Sequence, residues 1–170
     1  MLHPFRGIVP TVPASAYLAP SADVIGDVVL GPFCSVWFNA TIRGDVNTIR
    51  IGAETNIQDN AVVHVTGKTG PTYIGNRVTV GHSAIVHGCT VEDRVLIGMG
   101  AIILDQAVIG AGSIVGAGAL VTGRTLVPPG SLVYGNPARV IRSLTEEEIA
   151  SIDVYADKYL ANIKAYTGRE

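Results

Sequence analysis

Three of the four histidines in this 170-residue chain, His64, His82 and His87, fall within one short stretch. Imidazole is a common ligand for divalent metals, and three of them around one ion leave open positions where water and substrate can react. His64 and His87 each directly follow a valine, Val63 and Val86, and His82 lies two residues after Val80. Taken singly, a histidine is more often a turn or core residue than a ligand, and that is the reading for His3 in the N-terminal tail. The other three are distinguished by their register, and register depends on the elements that carry them.

Aliphatic residues recur every six positions at Val12, Leu18, Val24, Leu30, Val36 and Ile42. The phase slips and resumes at Ile51, Ile57 and Val63, then again at Ile74, Val80 and Val86. After one dropped residue, Val91, Ile97, Ile103, Ile109, Val115, Val121 and Val127 follow without interruption. Glycine often comes next, as in Leu30-Gly31, Ile74-Gly75, Ile97-Gly98 and Val115-Gly116, which points to tight turns. A small residue such as Ala22, Cys34, Ala61, Ala84 or Ala101 sits four places after the aliphatic one. Period six suits neither a helix nor a long plain strand. It suits short strands joined by tight turns, with one large and one small side chain inward per strand. Three such units make an 18-residue coil of triangular section, and the coils stack as in other solenoids. The pattern matches the all-β solenoid of hexapeptide-repeat proteins, a left-handed parallel β-helix, with about six coils expected.

On this frame His64 and His87 occupy the same corner one coil apart. Stacked strands lie ~4.8 Å from one another, so the two imidazoles can reach one ion. His82 precedes His87 by five residues, up to ~16 Å of extended chain, and falls near another corner. Within one subunit it does not reach the same ion; a threefold homotrimer brings one corner's pair against the other corner of a neighbour. The defects of the repeat cluster here too: the longer linkers Arg43–Arg50 and His64–Tyr73, and the short step from Val86 to Val91. Breaks in a local rule tend to mark functional sites.

The remaining sequence narrows the function classes. With 12 basic and 14 acidic residues the formal net charge is −2, so there is no electrostatic footprint for nucleic acid. No apolar run approaches the ~18 residues of a membrane span, and the N-terminus lacks signal-peptide features. Two cysteines, Cys34 and Cys89, are too few for a disulfide scaffold, which makes a cytoplasmic location the expectation. Few charges (15%) against 48% hydrophobic residues imply much buried surface, a subunit interface included. The pattern changes at Leu144. Thr145 to Glu148 reads as a capping box, and Ile149, Ile152, Ala156, Tyr159, Ile163 and Tyr166 follow helical spacing. We therefore expect a β-helix over residues 1–142, ending in a connecting loop from Val127 to Arg142, and a C-terminal helix over residues 143–170 packed against it.

The hexapeptide coils, the Arg43-Gly44-Asp45 turn, Asn56-Ile57-Gln58-Asp59, His64 and the pair His82 and His87 together resemble the γ-class carbonic anhydrases, most closely their short-loop bacterial relatives. The resemblance spans nearly the whole chain. It implies that His64 and His87 bind Zn2+ (Fe2+ or Co2+ being alternatives) together with His82 of a neighbouring subunit. It further implies that Arg43 and Asp45 form an intersubunit ion pair, that Gln58 hydrogen-bonds the attacking hydroxide, and that Tyr134 and Asn136 lie on a loop approaching the site. Asp59 is a candidate for a catalytic role or a plain salt bridge. The implied activity is hydration of CO2 to bicarbonate. Alternatives are an acyl-CoA thioesterase, an acyltransferase, or a non-catalytic trimeric metal-binding scaffold. Two departures concern the proton. Where the best-studied members carry carboxylates, this chain has Val46 and Gly67, and Val65 to Pro71 contains no acid.

Overall fold

The computed structural model describes residues 1–168, and the chain winds into a parallel β-solenoid closed on one side by a single helix. One face stacks seven short strands: Tyr17–Leu18, Ser35–Val36, Asn56–Ile57, Thr79–Val80, Leu96–Ile97, Ile114–Val115 and Ser131–Gly135. A second face runs from the start of Thr41–Ile51 through Val62–His64, Ile85–His87, Ile102–Ile103 and Leu120–Val121. The third carries the end of Thr41–Ile51, then Thr72–Ile74, Thr90–Val91, Val108–Ile109 and Leu126–Val127. Of the nineteen aliphatic repeat positions, all but Val12 and Leu18 are buried. Those two lie in the first coil, which has a neighbouring coil on one side only.

Four details differ from the sequence expectation. The first face has seven rungs where six coils were expected. Val133 continues the period six residues after Val127 and is buried, so Ser131–Gly135 pairs with Ile114–Val115 as a further strand. The expected connecting loop is thus largely ordered: Ala138–Ser143 folds back on Ser131–Gly135 as an antiparallel hairpin. The Arg43–Arg50 linker is no loop either. It lies inside the single strand Thr41–Ile51, which bends round a corner and pairs with Asp23–Leu30 along both halves. Lastly, the glycines after the aliphatic residue serve close stacking. A Cβ on Gly98 would stand 2.4 Å from the backbone nitrogen of Ala117 in the next coil.

The helix spans Glu146–Thr167 and opens with the expected capping box, in which Thr145 and Glu148 satisfy each other's backbone N–H groups. Gly168 ends it in the left-handed conformation. Ile152, Ala156 and Ile163 are buried. Tyr159 and Tyr166 meet Trp37 edge-on, with ring centroids 5.3 and 5.2 Å away, so the aromatic stripe packs onto the first face. Arg77 and Arg94 fix the helix's flank by gripping Asp153. The two cysteines are free and buried, and no described helix is long and apolar enough to cross a membrane.

Candidate metal centre

Strands Val62–His64 and Ile85–His87 pair in parallel register, which sets His87 directly beside His64 at the corner between the second and third faces. Their rings are 5.1 Å apart, and His64 Nδ1 faces His87 Nε2 at 3.1 Å. The other nitrogen of each ring meets a carboxylate. His64 Nε2 lies 3.0 Å from Asp45 Oδ1, and His87 Nδ1 lies 2.7 Å from Asp105 Oδ1. Asp45 is also bound by the Arg43 guanidinium. Burial on its own raises the Asp45 carboxyl, but the hydrogen bonds from His64 and Arg43 outweigh it and hold Asp45 below its ordinary range.

His82 stands at the opposite corner, where the chain enters the second face. Its Nδ1 lies 2.8 Å from Asp59 Oδ2, the residue aligned with it one coil below. The His82 side chain is 44% exposed, and no contact joins it to His64 or His87 within the chain. Gln58 adjoins the same corner, 5% exposed, with its amide nitrogen donating to Asn56 Oδ1, which in turn is fixed by the Asn56 amide bond to Thr79. Gln58 and His82 both line a groove of about 240 Å³ between the first face and the helix, bounded by Tyr155 and Tyr159. Burial and the neighbouring Asp59 charge push the Tyr159 phenol up to about 12, so it stays protonated.

The structure therefore brings together His64, His87, Asp45 and Arg43 at one corner, and His82, Asp59 and Gln58 at the other. Tyr134 and Asn136 join neither group within the chain. Tyr134 lies over Gly116 in the seventh rung, four rungs from Gln58 on the same face, or ~19 Å at the spacing of stacked strands. Among the described residues no three His, Cys, Asp or Glu side chains of one chain group as a metal site.

Sequence reasoning missed three residues at the paired corner. Asp105 backs His87; Val86 pairs with Ile103, so the coil here is one residue short and Asp105 falls opposite Gly88, a placement that following the Val86–Val91 step through one coil could have found. Thr66 donates to the same Asp105 oxygen at 2.9 Å. Thr72, fully buried, donates to the His64 carbonyl and accepts from the Gly88 N–H, tying the two histidine strands together. Nothing in a lone threonine's spacing announces such a role.

The donor set suits a cation. A carboxylate only accepts, so Asp45 selects the Nε2–H form of neutral His64, and Asp105 the Nδ1–H form of neutral His87. The two nitrogens left over are both acceptors and face one another. Bare lone pairs at 3.1 Å repel, whereas a shared cation attracts both. Two ligands bound at ~2.0–2.1 Å in tetrahedral geometry stand ~3.3 Å apart, close to the separation here. Carboxylate–imidazole–metal chains are the usual way ligating histidines are oriented.

Comparison with known proteins bears on this geometry. The family described as bacterial transferase hexapeptide (six repeats) matches residues 88–123. Gamma carbonic anhydrase 1, mitochondrial, of Arabidopsis thaliana is 53% identical over 155 residues, covering 88% of this chain and 56% of its own length. The carbonic anhydrase of Geobacillus kaustophilus is 45% identical over 166 residues, covering 98% of this chain and 91% of its own. A solved hexapeptide transferase family protein from Anaplasma phagocytophilum has a TM-score of 0.93 at 44% identity, covering 97% of each chain. The chain spans about half the length of the Arabidopsis relatives, 56% of each of three.

Proposed function

The chain belongs to the γ-class carbonic anhydrase family, and from that membership we propose that it hydrates carbon dioxide reversibly to bicarbonate at a zinc site shared between subunits of a homotrimer. The observation that carries the reading is the His64–His87 pair, two ring nitrogens facing one another at 3.1 Å with a carboxylate behind each ring. His82 Nδ1 also lies beside a carboxylate, Asp59, at 2.8 Å, though without the aligned hydrogen bond of the other two pairs, and its Nε2 faces away from Asp59.

The surface between the two corners supports the trimer. Val62, Ile85, Ile102 and Leu120 stand one above another on the outside of the second face, and among the described residues no helix covers them as one covers the first. This apolar column has His82 along one edge and His64 with His87 along the other. Packing such faces around a threefold axis buries the column and sets His82 of one subunit beside the histidine pair of the next. The two free, buried thiols suit a reducing compartment, consistent with the cytoplasm.

When bound, zinc supplies the Lewis acidity that brings a water's pKa to about 7. His64, His87 and the neighbour's His82 would hold it through ring nitrogens, with His64 and His87 oriented by their hydrogen bonds to Asp45 and Asp105. Gln58 keeps one amide hydrogen on Asn56, so its carbonyl and second N–H remain to orient the reacting oxygen. Arg43 locks Asp45, and Asp45 locks His64. Water adds to carbon dioxide to give bicarbonate and one proton. The proton must leave past Val46 and the Val65–Pro71 loop, neither of which offers a carboxylate. Sedimentation with elemental analysis should give three chains carrying about three zinc ions, and stopped-flow hydration should follow metal content. A metal-loaded monomer overturns the shared site. Full metal content without hydration at any buffer concentration overturns the activity, in favour of thioester hydrolysis or a metal-bearing scaffold.

A further inference from the structure

Asp105 is held with more care than a surface ion pair needs. Its Oδ1 accepts from His87 Nδ1 at 2.7 Å and from Thr66 Oγ1 at 2.9 Å, so one oxygen is fixed from two sides. Its backbone is fixed as well, the carbonyl accepting from the Arg124 N–H at 2.9 Å. The carboxylate rests on the α-carbon of Gly88, where a Cβ would stand 2.1 Å from Oδ1. Gly88 also has φ +59°, which L side chains rarely adopt. Both reasons for glycine arise at the shortened Val86–Val91 step, the place where the repeat loses a residue. The next coil thereby brings its aspartate against Gly88 and behind the histidine ring.

We infer that Asp105 is the positioning residue for His87, with Gly88 as its seat and Thr66 as its second anchor: it holds His87 in the Nδ1–H form and aims Nε2 at His64. Thr66 extends the link further. It belongs to the Thr66–Gly70 bridge, whose Thr66 and Gly67 carbonyls accept from the Asn47 side chain at 3.1 and 2.6 Å. The loop over the site is thus joined to a metal-facing histidine through one carboxylate oxygen. As a stabilising ion pair this contact counts for little, because the Asp105 side chain is 44% exposed. Its value lies in orienting the ring.

The inference rests on the zinc-site reading above for one of its two readouts. Removing a carboxylate behind a ligating histidine typically costs ~10–100-fold in metal affinity. Asp105→Ala should therefore weaken zinc binding, by competition with a chromophoric chelator, by ~10–100-fold, while the thermal midpoint of the metal-free protein stays put. Asp105→Asn, whose side-chain carbonyl still accepts from His87, should recover part of that loss, and Thr66→Val should cause a smaller one. Gly88→Ala should resemble Asp105→Ala. The second readout needs no metal. Long-range proton–nitrogen correlation spectra at about pH 8, above the ordinary imidazole range, should show His87 in the Nδ1–H form in the unsubstituted protein and in mixed tautomers in Asp105→Ala. Should Asp105→Ala not fold, Asp105→Asn and Thr66→Val carry both measurements. An unsubstituted protein that binds no zinc overturns the proposed function, and the tautomer spectra then decide this inference alone. Identical His87 tautomers and identical zinc affinity across the set overturn it.

Discussion

The coils from Val91 to Val127 and those from Arg43 to Val91 use one repeat and differ in what their corners do. In the later coils every step is six residues, every repeat aliphatic is buried, and the turns stack backbone on backbone. In the earlier ones the steps lengthen and shorten, and the corners fill with pairs of imidazole and carboxylate. A perfect repeat can only place identical atoms above one another. His87 stacks on His64 through strand register, and the residue dropped after Val86 sets Asp105 against Gly88 and behind the His87 ring. The later coils hold the shape, and the earlier ones depart from it where the imidazole–carboxylate pairs stand.

That division is open to direct attack, and the largest effect should come from the irregular side. His64→Ala removes one of the two facing nitrogens. We expect zinc content by elemental analysis to fall to near zero and hydration by at least ~1000-fold, since the metal is what makes a hydroxide available near neutral pH. The thermal midpoint of the metal-free protein should be nearly unchanged. Loss of folding instead would mean that the corner is structural. On the regular side, Ile109→Ala opens a cavity at a fully buried position. It should cost about 2–5 kcal/mol in denaturant unfolding and leave zinc affinity alone.

A glycine in each region sharpens the contrast further. Gly98→Ala forces a Cβ to within 2.4 Å of the Ala117 backbone nitrogen, and backbone cannot step aside as a flexible side chain can. About 1–3 kcal/mol of lost stability is expected, read from the unfolding midpoint, again with zinc affinity unchanged. If Gly98→Ala weakened zinc binding as much as Gly88→Ala, the two regions would be mechanically one.

The regular coils were legible because period six is a local rule that the side chains themselves spell out. The seventh rung was also spelled out, by Val133, but Pro128, Pro129 and Gly130 masked it as a loop. The helix announced itself through Thr145 and Glu148. The histidine pair was legible as register, since parallel stacking fixes which residues are neighbours. Its surroundings were less so. Asp105 is an ordinary acid at a turn until the shortened step is followed through one full coil. Thr66 and Thr72 act through hydrogen bonds that no spacing encodes. Tyr134 and Asn136 were named from resemblance, and a single chain leaves the strand that carries Tyr134 four rungs from Gln58.

The smallest effect expected is a gain. Hydration releases a proton for each bicarbonate formed, and a carboxylate near the site or an external buffer must take it. Positioned proton transfer is typically worth ~100–10,000-fold, so the absence of an acid at Val46 and Gly67 should make proton removal the slow step. Gly67 offers the cleaner place to restore one. A Cβ there would meet nothing within 4 Å, and the position has no left-handed φ to strain. The loop is already tied to the site through Thr66 and Asn47, so a carboxylate introduced at Gly67 would hang from an anchored segment. Turnover of Gly67→Glu should exceed that of the unsubstituted protein several-fold at low imidazole-type buffer, and the two should converge as buffer rises at fixed pH and ionic strength. The dependence on buffer is what separates the cases, since a slow step at carbon dioxide itself ignores buffer. A rate that is measurable, independent of buffer and unmoved by Gly67→Glu would show that some other group of this chain already carries the proton away.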